Sequence, residues 1–284
     1  MLIRFRILSA LYILKKTMPF LVILVLSFGL VLKHLFFDLK HIHSVMTYGQ
    51  RQETLEKIYE AHAEWLGQYT IACKEGCNAC CIRSVNVSRL EGEFIIAFLT
   101  KANRWSAAGF SLENTCSSSG PKHTTNQFAA LCLTGNMEEI EEAAKWDFTP
   151  CYFLEVNGSC SIYPVRPLMC RGFVSDCICQ NTGYAQMRPE IISVNTFIMQ
   201  LIEHLDQGSI WGNMNAILQE LSEPGSLVAA DYGKKQEQAI KLLKAKQIPG
   251  FLVPPEDQAA VGKYCNILKS KGINIKELLA AGSV

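Results

Sequence analysis

Apolar positions recur at helical spacing in several stretches of this chain. Leu55, Ile58, Tyr59, His62, Trp65 and Leu66 follow the i, i+3, i+4, i+7 rule that lines side chains along one face of a helix. That helix is expected to end just before a run of cysteines. A second is expected from Ser88, whose hydroxyl can cap it together with Glu91 three residues on, and it carries Leu90, Phe94, Ile95 and Phe98 inward. Pro189 opens a third, with Ile191, Val194, Ile198, Leu201, Ile202 and Leu205 on one side. Further helical stretches are expected at approximately 213–222, 227–247 and 256–270. Residues 106–123 read as a loop, and the acidic segment from Asn136 as a capped helix with a solvated face. The dipeptide Asn157-Gly158 separates CYFLEV from SCSIY and signals a tight β-hairpin.

The pattern changes near the N-terminus. From Met18 to Leu32 run fifteen uncharged residues, preceded by Arg4, Arg6, Lys15 and Lys16 and followed by Lys33. A bilayer needs about 18–20 such residues, and Lys33 can snorkel so that Leu35, Phe36 and Phe37 complete the span. A single membrane anchor through residues 18–37 is the expectation, with a translation start at Met46 as the alternative. The Lys and Arg count puts the N-terminus inside and the remainder outside, whereas clustered thiols need a reducing compartment. On the second ground the cysteine-bearing part is expected in the cytoplasm.

Twenty-seven basic residues against 26 acidic ones leave no electrostatic footprint for nucleic acid. A hydrophobic content of 49% over 284 residues supports a sizeable core. Cysteine usage is the departure from the ordinary: eleven of twelve fall between Cys73 and Cys179. Cys73, Cys77, Cys80 and Cys81 have spacers short enough for one loop to turn its sulfurs toward a centre. Adjacent side chains diverge, so Cys80 and Cys81 do not readily serve one ion alone. Further ligands are available at Cys151, Cys160, Cys170, Cys177 and Cys179. Four thiolates suit either tetrahedral zinc or an iron–sulfur cluster, and spacing does not choose between them. Arg166 and Arg171 flank Cys170, where guanidinium groups would favour thiolates and offset their charge. Cys116, Cys132 and Cys265 stand apart, His62 reads as a core histidine, and His123 and His204 carry no assigned role.

The blocks CKEGCNACC and CSIYPVRPLMCRGF resemble the bacterial family named for its CxxCxxCC motif, a zinc- or iron-chelating domain, over approximately residues 70–180. The first spacer, KEG, has three residues where the family name gives two. The resemblance implies metal ligation by Cys73, Cys77, Cys80, Cys81, Cys151, Cys160, Cys170 and one of Cys177 or Cys179, with Cys177 placed in the set. Tyr163, Arg166, Pro167 and Arg171 complete the match. It implies a metal ion or cluster as partner and no particular reaction.

Three other readings compete. The spacing of Cys73, Cys77 and Cys80 is also that of radical S-adenosylmethionine enzymes, but Ala79 stands where an aromatic is usual and no barrel pattern is present. The flagellin lysine methylases resemble the same cysteine-cluster family, although a Gly-rich strand-to-helix turn is missing. An extracytoplasmic domain pinned by disulfides is the third. The expected organisation is an N-terminal segment at 1–45, a metal-binding cysteine-cluster domain at 46–206 and a C-terminal helical region at 207–284. The expected fold class is mainly α with a small β-hairpin.

Overall fold

The computed structural model describes residues 46–104, 121–136, 147–222 and 242–280. The expected anchor at 18–37, residues 106–120 of the expected loop, Cys116, the acidic helix after Asn136 and most of the helix expected at 227–247 lie outside these residues. Among the described residues, no helix is long and apolar enough to cross a membrane.

The first helix, α1 (Tyr48–Leu66), starts earlier than its apolar stripe because Thr47 and Gln50 close a reciprocal capping box ahead of it. It buries Leu55, Ile58, Tyr59, His62 and Trp65 of the expected face together with Ala61, and Leu66 is half-buried. A short strand, β1 (Asn86–Ser88), leads into α2 (Arg89–Lys101). Ser88 Oγ accepts from Glu91 N at 3.2 Å, and a Glu91 carboxylate oxygen accepts from Ser88 N at 3.0 Å, so the cap read in the sequence is formed. Then come α3 (Thr125–Thr134), a 3₁₀ turn at Tyr163–Val165, α4 (Leu168–Gly172) and α5 (Cys179–Thr182). The long α6 (Pro189–Leu205) is followed by β2 (Ile210–Asn213), α7 (Met214–Ser222), β3 (Leu243–Lys244), α8 (Gln258–Ser270) and α9 (Ile275–Ala280). The fold is mainly α with a small antiparallel sheet.

Helix α6 is the central rod. It buries residues around most of its circumference, Asn195, Gln200, Glu203 and His204 included, which calls for internal hydrogen bonds and not solvent on its polar side. With α1 and α8 it encloses one apolar cluster, in which Phe197 stacks 4.4 Å from Phe251 and meets Tyr264 edge-on at 6.2 Å. A second cluster gathers Val87, Ile95, Phe153, Ile162, Ile217 and Leu218 beneath α2 and α7. The described residues belong to one compact unit. The stretches on either side of position 206 therefore share these cores: α7 packs on α2 and α8 on α1.

The sheet was not expected from the sequence. Its order is β1-β2-β3, antiparallel throughout, with Val87 opposite Gly212 and Trp211 opposite Leu243. The third strand corrects the helix expected to run to position 247. Leu243 and Lys244 are extended and paired, and Ala245 N donates to Ser209 O at 2.8 Å, so tertiary pairing overrides a helical pattern here.

The hairpin at 153–161 is present but minimal. Glu155 N donates to Ser159 O and Ser161 N to Phe153 O, both at 2.9 Å. Gly158, at φ 83°, takes the left-handed position after a turn closed by Gly158 N to Glu155 O. This is a bulged hairpin, in which glycine follows the turn and relieves the twist. The 3₁₀ turn at Tyr163–Val165, with Pro164 unable to donate to a ladder, ends it.

Candidate functional site

The CKEGCNACC run occupies a loop between α1 and β1, built from two successive tight turns. Cys77 N donates to Lys74 O, and Cys81 N to Asn78 O, each at 3.0 Å. Neighbouring segments fasten the loop from two sides. On one side Cys151 N donates to Cys81 O at 3.0 Å, Arg83 N donates to Thr149 O at 2.9 Å, and Ile82 pairs with Pro150. On the other, Ala72 N donates to Ser175 O at 2.8 Å. The hairpin turn closes the arrangement from above, since a Cβ on Gly158 would lie 2.9 Å from Asn78 Nδ2. Cys81 and Cys151 thus become neighbours through backbone pairing, 70 positions apart in sequence.

Around that pairing the thiols form an unequal group. The neighbouring Cys80 and Cys81 thiols act on each other, raising Cys80 and lowering Cys81, while Cys151, Cys170 and Cys160 all press on Cys81 in the opposite sense. Burial pushes the Cys170 thiol well up, helped by Cys151, Cys160 and Cys80 and opposed by Arg166. Burial likewise raises Cys151 and Cys160. A second group lies toward the start of the loop: Cys73 is raised first by burial, with Cys77, Cys179 and Cys80 adding to it. Cys177 faces elsewhere. Its Sγ lies 3.4 Å from Ser175 Oγ and 3.5 Å from Thr182 Oγ1, and these hydroxyls hold it below the usual thiol range. The other late candidate, Cys179, acts on Cys73.

The eleven described cysteines are free thiols. Among the described residues, no three Cys, His, Asp or Glu side chains already stand in a metal-holding arrangement. The donor chemistry nevertheless suits a thiophilic ion. Five thiols, those of Cys80, Cys81, Cys151, Cys160 and Cys170, act on one another about the Cys81–Cys151 pairing; burial raises three of them, Cys151, Cys160 and Cys170, and a metal would have to displace their protons to bind.

The two arginines do different work. Arg166 lies 3.9 Å over the Tyr163 ring, its Nε buried without a hydrogen-bond partner, and its charge bears on Cys80, Cys160 and Cys170. Arg171 turns back on its own chain. Its Nε donates to Arg166 O at 2.6 Å, it bonds Pro164 O, and its guanidinium lies 4.3 Å over Tyr59. Arg171 therefore shapes the turn that presents Cys170.

Two positioning residues carried only a capping or core role in the sequence. Glu91, 6% exposed, accepts from Tyr59 OH at 2.8 Å and from Leu168 N at 3.0 Å, so the α2 cap also anchors the first turn of α4, which bears Cys170. His62 meets Asn195 Oδ1 at 2.9 Å, and Asn195 donates to Gly172 O at 2.7 Å, tying the other end of α4 to the core. An acidic N3 residue that is buried, not exposed, was the missed signal. Comparison of the chain with protein-family models, with curated proteins and with solved structures finds no match in any of the three.

Proposed function

We propose that this protein binds a thiophilic metal, zinc or an iron–sulfur cluster, through thiolates drawn from both cysteine segments, as its resemblance to the CxxCxxCC chelating family implies. The observation that supports this reading is the backbone junction of Cys81 with Cys151, with Cys160 and Cys170 acting on Cys81 and Arg166 acting on Cys170. Cys80, Cys81, Cys151, Cys160 and Cys170 are the ligand pool at the junction, and Cys73, Cys77 and Cys179 a second pool next to it. Cys177 is the weakest member of the set, because its sulfur is engaged by hydroxyls. Zinc would supply a structural cross-link, and an iron–sulfur cluster would supply one-electron redox capacity. Arg166 offsets the negative charge that several thiolates would accumulate, and its unpartnered Nε leaves it a donor for a sulfur.

The test is anaerobic purification of the full chain with metal analysis and a visible spectrum, which separates coloured iron–sulfur from colourless zinc. Serine replacements at Cys81, Cys151, Cys160 and Cys170 are expected each to lower metal content, while Cys177→Ser and Cys265→Ser leave it intact. A chain that retains full metal content after loss of Cys81 and Cys151 together would refute the assignment.

A further inference from the structure

A cavity of about 310 Å³ is lined on one wall by Leu168 and Met169 of α4. Its walls come from β1, α2, α3, α4, α6 and β2, so it sits where the two apolar clusters meet the sheet. Phe128, Trp211, Met169 and Met199 give it an aromatic and thioether lining, and Glu91 and Glu203 contribute carboxylates. His123 lines it as well, and among the described residues no Lys or Arg does.

The two carboxylates are the informative part. Glu203 is 1% exposed and accepts from the backbone amides of Asn126 at 2.8 Å and Lys246 at 2.7 Å, with the Thr124 side chain also favouring its charged form. Glu91 is held by Tyr59, Ser88 and the Leu168 amide. Among the described residues neither enters an ion pair, and the charges of Arg171 and Lys246 act on them only from beyond ion-pair distance. Neutral donors orient these oxygens, and burial, which raises Glu203, marks a carboxylate short of counter-charge. A cavity of this kind repels anions and rewards a cation, and its aromatic and thioether walls favour one with an apolar body.

We propose that this cavity binds a small organic ammonium compound, an amine carried on an apolar or aromatic frame, with Glu203 and Glu91 facing the charge and Phe128 and Trp211 the frame. The volume is at the small end of ligand pockets, which limits the ligand to roughly a dozen heavy atoms. Its position adds a consequence. Leu168 and Met169 line the cavity and Cys170 follows them on the same helical turn, so an occupant touches the element that presents a thiol to the cysteine junction. The inference does not depend on metal binding and survives if that reading fails.

The test uses the purified full chain and three probes of one shape: 2-phenylethylamine, 2-phenylethanol and phenylacetate, followed by saturation-transfer NMR and calorimetry. The amine is expected to bind about tenfold or more tighter than the alcohol, and phenylacetate to give no transfer. Glu203→Gln is expected to remove that preference while leaving the alcohol's affinity in place. If Glu203→Gln fails to fold, Phe128→Ala at the half-exposed mouth decides, and it is expected to weaken amine and alcohol alike. Equal binding of amine and alcohol, displacement of the amine by phenylacetate, or no binding of any probe would each overturn the proposal.

Discussion

Replacing Glu91 probes how the core presents the cysteine site. The carboxylate joins three elements: one oxygen takes Tyr59 OH from α1 and Leu168 N from α4, and the other takes Ser88 N and Oγ from its own cap. Glu91→Ala leaves the Tyr59 hydroxyl and the Leu168 and Ser88 amides without an acceptor. A buried donor left unpaired costs about 1–3 kcal/mol. The adjoining cavity lets water reach part of the gap, which puts the sum near the low end, at about 3 kcal/mol. For a body of this size that corresponds to a Tm lowered by roughly 6–12 °C. Glu91→Gln should lose less, about 1–2 kcal/mol, because its amide oxygen can still serve Tyr59 and Leu168 while its NH₂ opposes the Ser88 amide. Urea unfolding followed by circular dichroism reads the stability. Thiol labelling of Cys170 in the folded state reads the position of α4 and should accelerate in Glu91→Ala. A Glu91→Ala variant within about 0.5 kcal/mol of the parent, with unchanged labelling, would refute the anchoring role.

Gly158→Ala combines a left-handed backbone with a Cβ at 2.9 Å from Asn78, and should cost about 1–2 kcal/mol and raise the labelling rate of Cys77, as measured by denaturation and thiol titration. Two buried groups titrate against each other. Burial lowers His62 from 6.5 to about 4, so its contribution to stability is present above pH 6.5 and is lost, by about 3 kcal/mol, as pH falls through 4. Burial raises Asp206 from 3.8 to about 6, so its contribution is present below pH 3.8 and is lost, by about 3 kcal/mol, as pH rises through 6. The slopes nearly cancel between pH 4 and 6, and Asp206→Asn should expose the acid lability of His62 as a steeper fall in stability than the parent shows. Parallel curves for parent and variant would contradict it. Stripping metal with a chelator should lower the Tm, given that structural zinc sites contribute on the order of 10 kcal/mol in small modules, and an unchanged melt would count against a structural metal.

The helices α1, α2, α6, α7 and α8 were legible because each repeats a local rule, whereas α3, α5 and α9 were not expected. The Ser88–Glu91 box and the stripe from Ile191 to Leu205 need no information from distant residues. The sheet was illegible for the opposite reason. Its strands have three, four and two residues, too few to show alternation, and their pairing joins positions far apart in the chain. Within the site, spacing grouped Cys73, Cys77, Cys80 and Cys81 as one set. The fold keeps Cys77 and Cys80 acting on Cys73 and adds a partner from elsewhere to each end of the loop: Cys151 pairs with Cys81, and Cys179 acts on Cys73. Those partners depend on backbone pairing between segments, to which periodicity is blind. Arg166 and Arg171 looked equivalent in sequence, and only the return of Arg171 to the carbonyls of its own turn separates them.

The exit of the cysteine loop is closed by residues that come much later. Asn213 Nδ2 donates to Arg83 O across 130 positions, and Met214 N donates to Val85 O. At ordinary translation rates the first four thiols leave the ribosome about 6–26 s before the strand that locks their loop. Over that time they are loose, neighbouring sulfhydryls, open to oxidation, wrong pairing or capture by any soft ion. The chain's vulnerability is therefore set in its biosynthesis, and a slowed ribosome between codons 81 and 213 would be felt at the cysteines first.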